Sequence, residues 1–150
     1  MNSFVGDYIC KLDDKGRVLF PAAFKKQSEG VLERFILKKD IFEGCLVLYT
    51  TAEWERQLEI IKRKINPYVQ AQNRFLREFY KSTTDVELDS SGRILIPKRF
   101  IEMAGLVKEV VFIGIGDKIE IWDKEKYYSS EMSQEQFAAD AEKFLGGEIE

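Results

Sequence analysis

One thirteen-residue phrase occurs twice in this chain of 150 residues. Residues 12–24 read LDDKGRVLFPAAF and residues 88–100 read LDSSGRILIPKRF, with Leu, Asp, Gly, Arg, Leu, Pro and Phe recurring at a constant separation of 76 residues. A repeat of that period means two copies of one supersecondary unit, which buries its apolar face by packing against its neighbour. The chain must therefore fold on a duplicated plan, and the unit's role is present twice.

Each copy carries the same local signals. Asp7 to Leu12 and Val18 to Phe20 are apolar-rich runs separated by Asp13-Asp14-Lys15-Gly16-Arg17, which reads as a strand, a tight turn and a returning strand. Val86 to Leu88, the turn Asp89-Ser90-Ser91-Gly92 and the run Arg93 to Ile96 repeat the plan. Pro21 and Pro97 end the return strands and suit the first turn of a short helix, because proline lacks the N–H a ladder needs. Gly30 and Gly105 are the expected helix stops. A strand pair follows in each copy: Phe35 to Lys38 with Cys45 to Tyr49 through Gly44, and Val110 to Ile115 with Lys118 to Trp122 through Gly116-Asp117. Helix starts at Thr51 with Glu53-Trp54, and at Asp123 with Glu125, close the two units.

Between the copies, Trp54, Leu58, Ile61 and Ile65 recur at helical spacing, as do Phe75, Leu76, Phe79 and Tyr80 beyond the break at Asn66-Pro67. These predict two amphipathic helices whose polar faces, rich in Lys and Arg, form either a solvated surface or part of a basic one. A weaker helical pattern around Phe137, Ala141 and Phe144 marks the end of the chain, with fraying expected beyond Gly146-Gly147.

Composition limits the chemistry. There is no histidine, which removes the usual general base near neutral pH and the commonest metal ligand. Cys10 and Cys45 stand singly in apolar segments and read as buried free thiols, with neither a disulfide nor a metal role. No catalytic residue, metal site, cofactor or small-molecule substrate is expected. Gly114-Ile115-Gly116 joins two strands and reads as a hairpin turn, not a dinucleotide fingerprint. No basic n-region followed by an apolar h-region opens the chain and no apolar run is long enough to span a bilayer, so a cytoplasmic protein without membrane contact is expected. The net charge is −3, yet residues 123–150 hold eight acidic and three basic residues, leaving the preceding body at +2. An acidic tail thus offsets a mildly basic body, and the overall charge is a poor guide to the partner.

The Asp-x-x-Gly-Arg spacing has a mechanical meaning. Asp13 and Asp89 can accept hydrogen bonds from backbone N–H groups of their turns, while Gly16 and Gly92 supply the left-handed residue that lets the strand return. Arg17 and Arg93 are launched from the stiff base so formed, as suits a base-reading or phosphate-clamping guanidinium. The plainer alternative is that each arginine pairs with its own aspartate to lock the turn, and the two roles are compatible.

These two phrases, followed by LVLYTTAEWE and IEIWDKEKYY, resemble the MraZ family, whose chains carry two AbrB-like (SpoVT-AbrB) repeats. The resemblance covers roughly Phe4 to Tyr128. It implies a mixed α+β, β-rich fold in which the duplicated repeats interlock as a pseudo-two-fold swapped-hairpin β-barrel with flanking helices. It also implies bacterial transcriptional regulators, acting as repressors, that bind double-stranded DNA at repeated promoter sites upstream of the division and cell-wall gene cluster, their own promoter included. The subunits would form a ring-shaped homo-oligomer associated with the nucleoid. The corresponding division of this chain is repeat 1 at 7–54, a helical linker at 55–82, repeat 2 at 83–126 and an acidic, partly helical tail at 127–150.

Carried over by position, the resemblance makes Arg17 the motif arginine of the first repeat, with Lys15 in its turn, Asp13 and Gly16 holding the shape, Lys11 before it, and Lys25 and Lys26 in the following helix. The second repeat offers Arg93 with Asp89 and Gly92, but Glu87 replaces the preceding basic residue, and Ser90 and Ser91 stand where the first has Asp14 and Lys15. Lys98 and Arg99 follow it. The expectation is therefore unequal copies, with the first supplying most of the DNA surface and Arg93 contributing less or serving structure. The competing function is an oligomeric protein-interaction scaffold without direct base readout, in which the tail or linker helices recruit a partner.

Overall fold

A computed structural model describes residues 3–28 and 34–147. The expected helix stop at Gly30 and the end of the tail beyond Gly147 lie outside the described residues. The described residues form eight strands and six helices: β1 (Phe4–Lys11), β2 (Arg17–Leu19), α1 (Ala22–Gln27), β3 (Arg34–Lys39), β4 (Leu46–Thr50), α2 (Thr51–Lys64), α3 (Gln70–Lys81), β5 (Thr83–Glu87), β6 (Arg93–Leu95), α4 (Lys98–Ala104), β7 (Glu109–Gly116), β8 (Lys118–Asp123), α5 (Lys124–Ser129) and α6 (Gln134–Leu145). The fold is mixed α+β with a large antiparallel sheet.

The pairing crosses between the copies. Six strands form one sheet in the order β1-β7-β8-β4-β3-β5, and β2 pairs with β6 in a separate two-stranded ribbon. Among the described strands, only the central hairpins, β3 with β4 and β7 with β8, form ladders within one repeat. The opening strand of the first copy lies on the hairpin of the second, with Tyr8 opposite Phe112, and β5 lies on the hairpin of the first, with Val86 opposite Phe35. The expected return of each strand onto its predecessor survives, among the described residues, as the Asp13 N–H to Arg17 carbonyl bond of 2.9 Å with the bridge of Leu12 opposite Val18 in the first copy, and as the Asp89 N–H to Arg93 carbonyl bond of 2.8 Å in the second. After that bridge the strands part. No pairing among the described residues joins β1 to β5, so the interlocked sheet keeps two edges and is not closed into a barrel.

Exchange gives both halves one core. Phe20, at the end of the ribbon, sits 5.0 Å from the ring of Phe35 in β3 and 6.2 Å from that of Phe112 in β7. Phe24 of α1 and Phe100 of α4, equivalent positions of the two phrases, are fully buried in the same cluster. Such burial contributes about 1.5–3 kcal/mol for each large apolar side chain removed from water. Pro21 and Pro97 stand at the N-cap positions of α1 and α4, one residue before the helices they were expected to open, and Gly105 ends α4 in the left-handed conformation as expected.

The linker forms the two predicted helices, with the cap shifted by one residue: Thr50, not Thr51, accepts the Glu53 N–H at 3.1 Å. Trp54 of α2 stacks on Phe79 of α3 at 5.6 Å with the rings 4° from parallel. Beneath them lies buried Lys38 of β3, its ammonium 4.3 Å from the Phe79 ring centroid and donating to the Phe79 carbonyl. Burial holds this lysine below its ordinary pKa. Burial raises the Glu53 carboxyl, but the side-chain hydrogen bonds from Arg56 and Gln57 and the charges of Arg56 and Lys118 together bring it below the usual range. The tail forms α6, capped by Ser133, but this helix buries no residue and leaves Phe137, Phe144 and Leu145 exposed. Among the described residues no helix is long and apolar enough to cross a membrane.

Both cysteines are free; Cys45 is fully buried and Cys10 partly so. Burial raises both thiols, which suppresses the reactive thiolate. Native protein is expected to label slowly at Cys10 with a thiol reagent and at Cys45 only on unfolding. Two rapid native labelling events would contradict this packing.

Candidate nucleic-acid interface

Two copies of one turn build the site. In the first, Asp13 Oδ1 accepts the Lys15 N–H at 2.9 Å and the Arg17 N–H at 2.8 Å; in the second, Asp89 Oδ1 accepts the Ser91 N–H at 2.8 Å and the Arg93 N–H at 2.9 Å. Gly16 and Gly92 take φ of +86° and +78°, the left-handed region in which an L side chain is strained. These backbone donors, the motif arginine's own N–H foremost, hold both carboxyls below the ordinary carboxylate range. The local turn chemistry is therefore the one expected from the sequence.

The turns feed a ribbon that faces two ways. Val18 and Ile94 point inward and are 1% and 0% exposed, whereas Leu19 and Leu95 point outward and are 57% and 54% exposed. Arg17 lies opposite Leu95 and Arg93 opposite Leu19, so both arginines share the outward face at its two ends. The ribbon is extended by crossed hydrogen bonds: the Phe20 N–H donates to the Gly92 carbonyl at 2.9 Å and the Ile96 N–H to the Gly16 carbonyl at 2.8 Å. Each turn is thereby clamped by the strand end of the other copy.

Around the ribbon the expected residues separate. Arg17, Arg93, Asp13 and Lys11 line one open depression of about 510 Å³, together with Ile9, Cys10, Leu12 and Leu19. Lys15 is exposed on the first turn. Lys25, from α1 of the first copy, reaches the second copy's turn, where its ammonium lies 3.1 Å from the position a Cβ would take on Gly92. Lys26 is exposed on the same helix but lines none of this depression. Arg99 is turned away, donating to the Lys81 carbonyl at 3.2 Å and lying over the Phe100 ring.

The copies differ at the guanidinium. Arg17 Nε donates to Asp13 Oδ2 at 2.8 Å, whereas among the described residues no carboxylate lies within 4.0 Å of the Arg93 guanidinium. The alternative in which arginine locks its own turn thus holds for the first copy alone. Sequence reasoning passed over Leu19, Leu95 and Ile9, the apolar part of this face. The alternation Arg17-Val18-Leu19 was the available signal, because one buried residue between two outward ones is what a one-sided strand presents.

Comparison with known proteins covers the whole of this architecture. A family model described as "MraZ protein, putative antitoxin-like" matches residues 3–77 and again residues 79–146. A protein of Bacteroides thetaiotaomicron named transcriptional regulator MraZ is 38% identical over 149 residues, 99% of this chain and 96% of the relative. Proteins with the same name from Flavobacterium psychrophilum and Acetivibrio thermocellus are 39% identical over 148 residues and 42% over 127. The first covers 97% of this chain and 94% of the relative, the second 84% and 85%. A duplicated turn motif, strands exchanged between its two copies and a family match to each half converge, and the chain belongs to the MraZ family.

Proposed function

We propose that this protein regulates transcription by binding double-stranded DNA through the outward face of the β2–β6 ribbon. The observation that carries the reading is the presentation of Arg17 and Arg93 on one face of a two-stranded ribbon whose turns are clamped from both copies. A β-ribbon is narrow enough to enter the major groove, and guanidinium groups fixed on it can address guanine edges or phosphates. Lys11, Lys15 and Lys25 add positive charge beside the arginines, and Lys26 stands on the same helix. The division at 7–54, 55–82, 83–126 and 127–150 remains part of this reading, as does action without catalysis, in the cytoplasm and on the nucleoid.

The finer reading is a repressor of the division and cell-wall gene cluster and of its own promoter, engaging repeated sites as a ring-shaped homo-oligomer. Two different exposed apolar areas support head-to-tail association: Phe75 and Tyr80 on α3, and Val5 of the edge strand β1 with Ile115 opposite it on β7. Unlike patches joined between copies generate rings when the rotation closes. With a body charge of only +2, a single subunit binds one site weakly, and several subunits on tandem sites gain effective concentration.

Anisotropy titrations against the protein's own upstream DNA test the reading. Arg17→Ala is expected to weaken binding about tenfold or more and to reduce the salt slope by about 0.9 if the lost contact is a phosphate. DNA carrying several repeats is expected to bind far more tightly than DNA carrying one. Equal affinity for the upstream DNA and an unrelated duplex would select the scaffold reading instead, which the exposed Phe137, Phe144 and Leu145 of α6 would then serve.

A further inference from the structure

The inequality between the two arginines has a chemical meaning, which rests on the DNA-binding reading above. Both aspartates use Oδ1 in the same way, on two backbone N–H groups of their turns. Asp13 alone uses Oδ2 on its arginine, at 2.8 Å from Arg17 Nε. A guanidinium held at Nε keeps both terminal nitrogens available as a planar fork, the arrangement that reads guanine O6 and N7. An unheld arginine side chain must lose its rotamer freedom on contact, a cost that a side chain already held has partly met before the DNA arrives. Arg93 occupies the equivalent place on the ribbon without that tether.

We propose that Asp13 is a positioning residue that fixes Arg17 as the base-reading arginine, while Arg93 acts as an adjustable phosphate contact. The duplicated ribbon then holds one rigid reader and one compliant clamp. Specificity resides at the first turn, and the second adds affinity that depends little on sequence.

The two aspartates provide their own control. Asp13→Asn keeps the Oδ1 acceptor that shapes the turn and replaces the Oδ2 that holds Arg17. Asp89→Asn makes the same change of charge in a turn whose Oδ2 holds no arginine. Binding of the full-length variants to the upstream DNA and to an unrelated duplex is compared by anisotropy at several salt concentrations. Asp13→Asn is expected to lower the ratio of specific to non-specific affinity roughly tenfold with an unchanged salt slope. Asp89→Asn is expected to change that ratio by less than about twofold. In the free protein, the Arg17 Nε–H resonance is expected to be sharp and slowly exchanging, and to lose that protection in Asp13→Asn; Arg93 is expected to show none.

An unchanged ratio in Asp13→Asn, or equal losses in the two variants, would overturn the proposal while leaving DNA binding intact. An unprotected Arg17 Nε–H in the wild type would overturn it without any DNA and even if Asp13→Asn did not fold. A wild type that failed to prefer its upstream DNA would remove the DNA reading itself, and this inference with it.

Discussion

Phe20→Ala is expected to cost about 3–5 kcal/mol of folding stability. That is a large part of the roughly 5–15 kcal/mol by which a domain of this size is held folded. The side chain is 2% exposed and meets three other rings, those of Phe24, Phe35 and Phe112. Those partners belong to the first copy's helix, the first copy's hairpin and the second copy's hairpin. Truncation therefore opens a cavity where the halves meet, and repacking from one side cannot fill it without disturbing the other. Urea unfolding checks the value, with a lowered midpoint and an unchanged dependence on denaturant. A cost below about 1 kcal/mol would mean that the copies do not share one core.

The second large effect separates two glycines that the sequence presents as equivalent. Gly16→Ala is expected to cost about 2–5 kcal/mol and Gly92→Ala about 1–2 kcal/mol. Both residues have positive φ, which penalises any Cβ. At Gly16 the added atom would also lie 2.8 Å from the Ile96 carbonyl oxygen and 3.2 Å from Ile101 Cδ1. The first is backbone of the residue whose own N–H binds the Gly16 carbonyl, so relief would pull on the ribbon. At Gly92 the nearest atom is the Lys25 ammonium, at the end of a flexible chain that can move aside. Thermal unfolding of the two variants ranks them, and the reverse order would contradict the packing described.

Legibility in the sequence followed the range of the interactions. The Asp13 and Asp89 turns, the positive-φ glycines and the Gly105 stop were readable because each is satisfied within about five residues. The destinations of β1, β2, β5 and β6 were not, because a strand's local pattern shows which face is buried and says nothing of which edge it joins. Val86 to Leu88 was too short for the same reason: Thr83, Thr84 and Asp85 become strand by pairing with Lys38, Leu37 and Ile36, far away in the chain. The cap at Thr50 was missed because two threonines stand side by side and only the backbone turn distinguishes them. Within the site, the charged residues drew attention while Leu19 and Leu95 did not. The tether on Arg17 and its absence on Arg93 depend on side-chain geometry that the common motif leaves open.

The pairing of β1 with β7 carries a consequence for synthesis on the ribosome. Tyr8 finds its partner only when Phe112 has been made, and at about 5–20 residues per second that interval is roughly 5–20 s. Throughout it the nascent first half holds Phe4, Phe20 and Phe24 without the second copy's strands that complete their enclosure, the kind of apolar surface that chaperones meet. The duplicated fold is thus assembled late and all at once, and the first half of the chain spends its early life as a structure waiting for its other half.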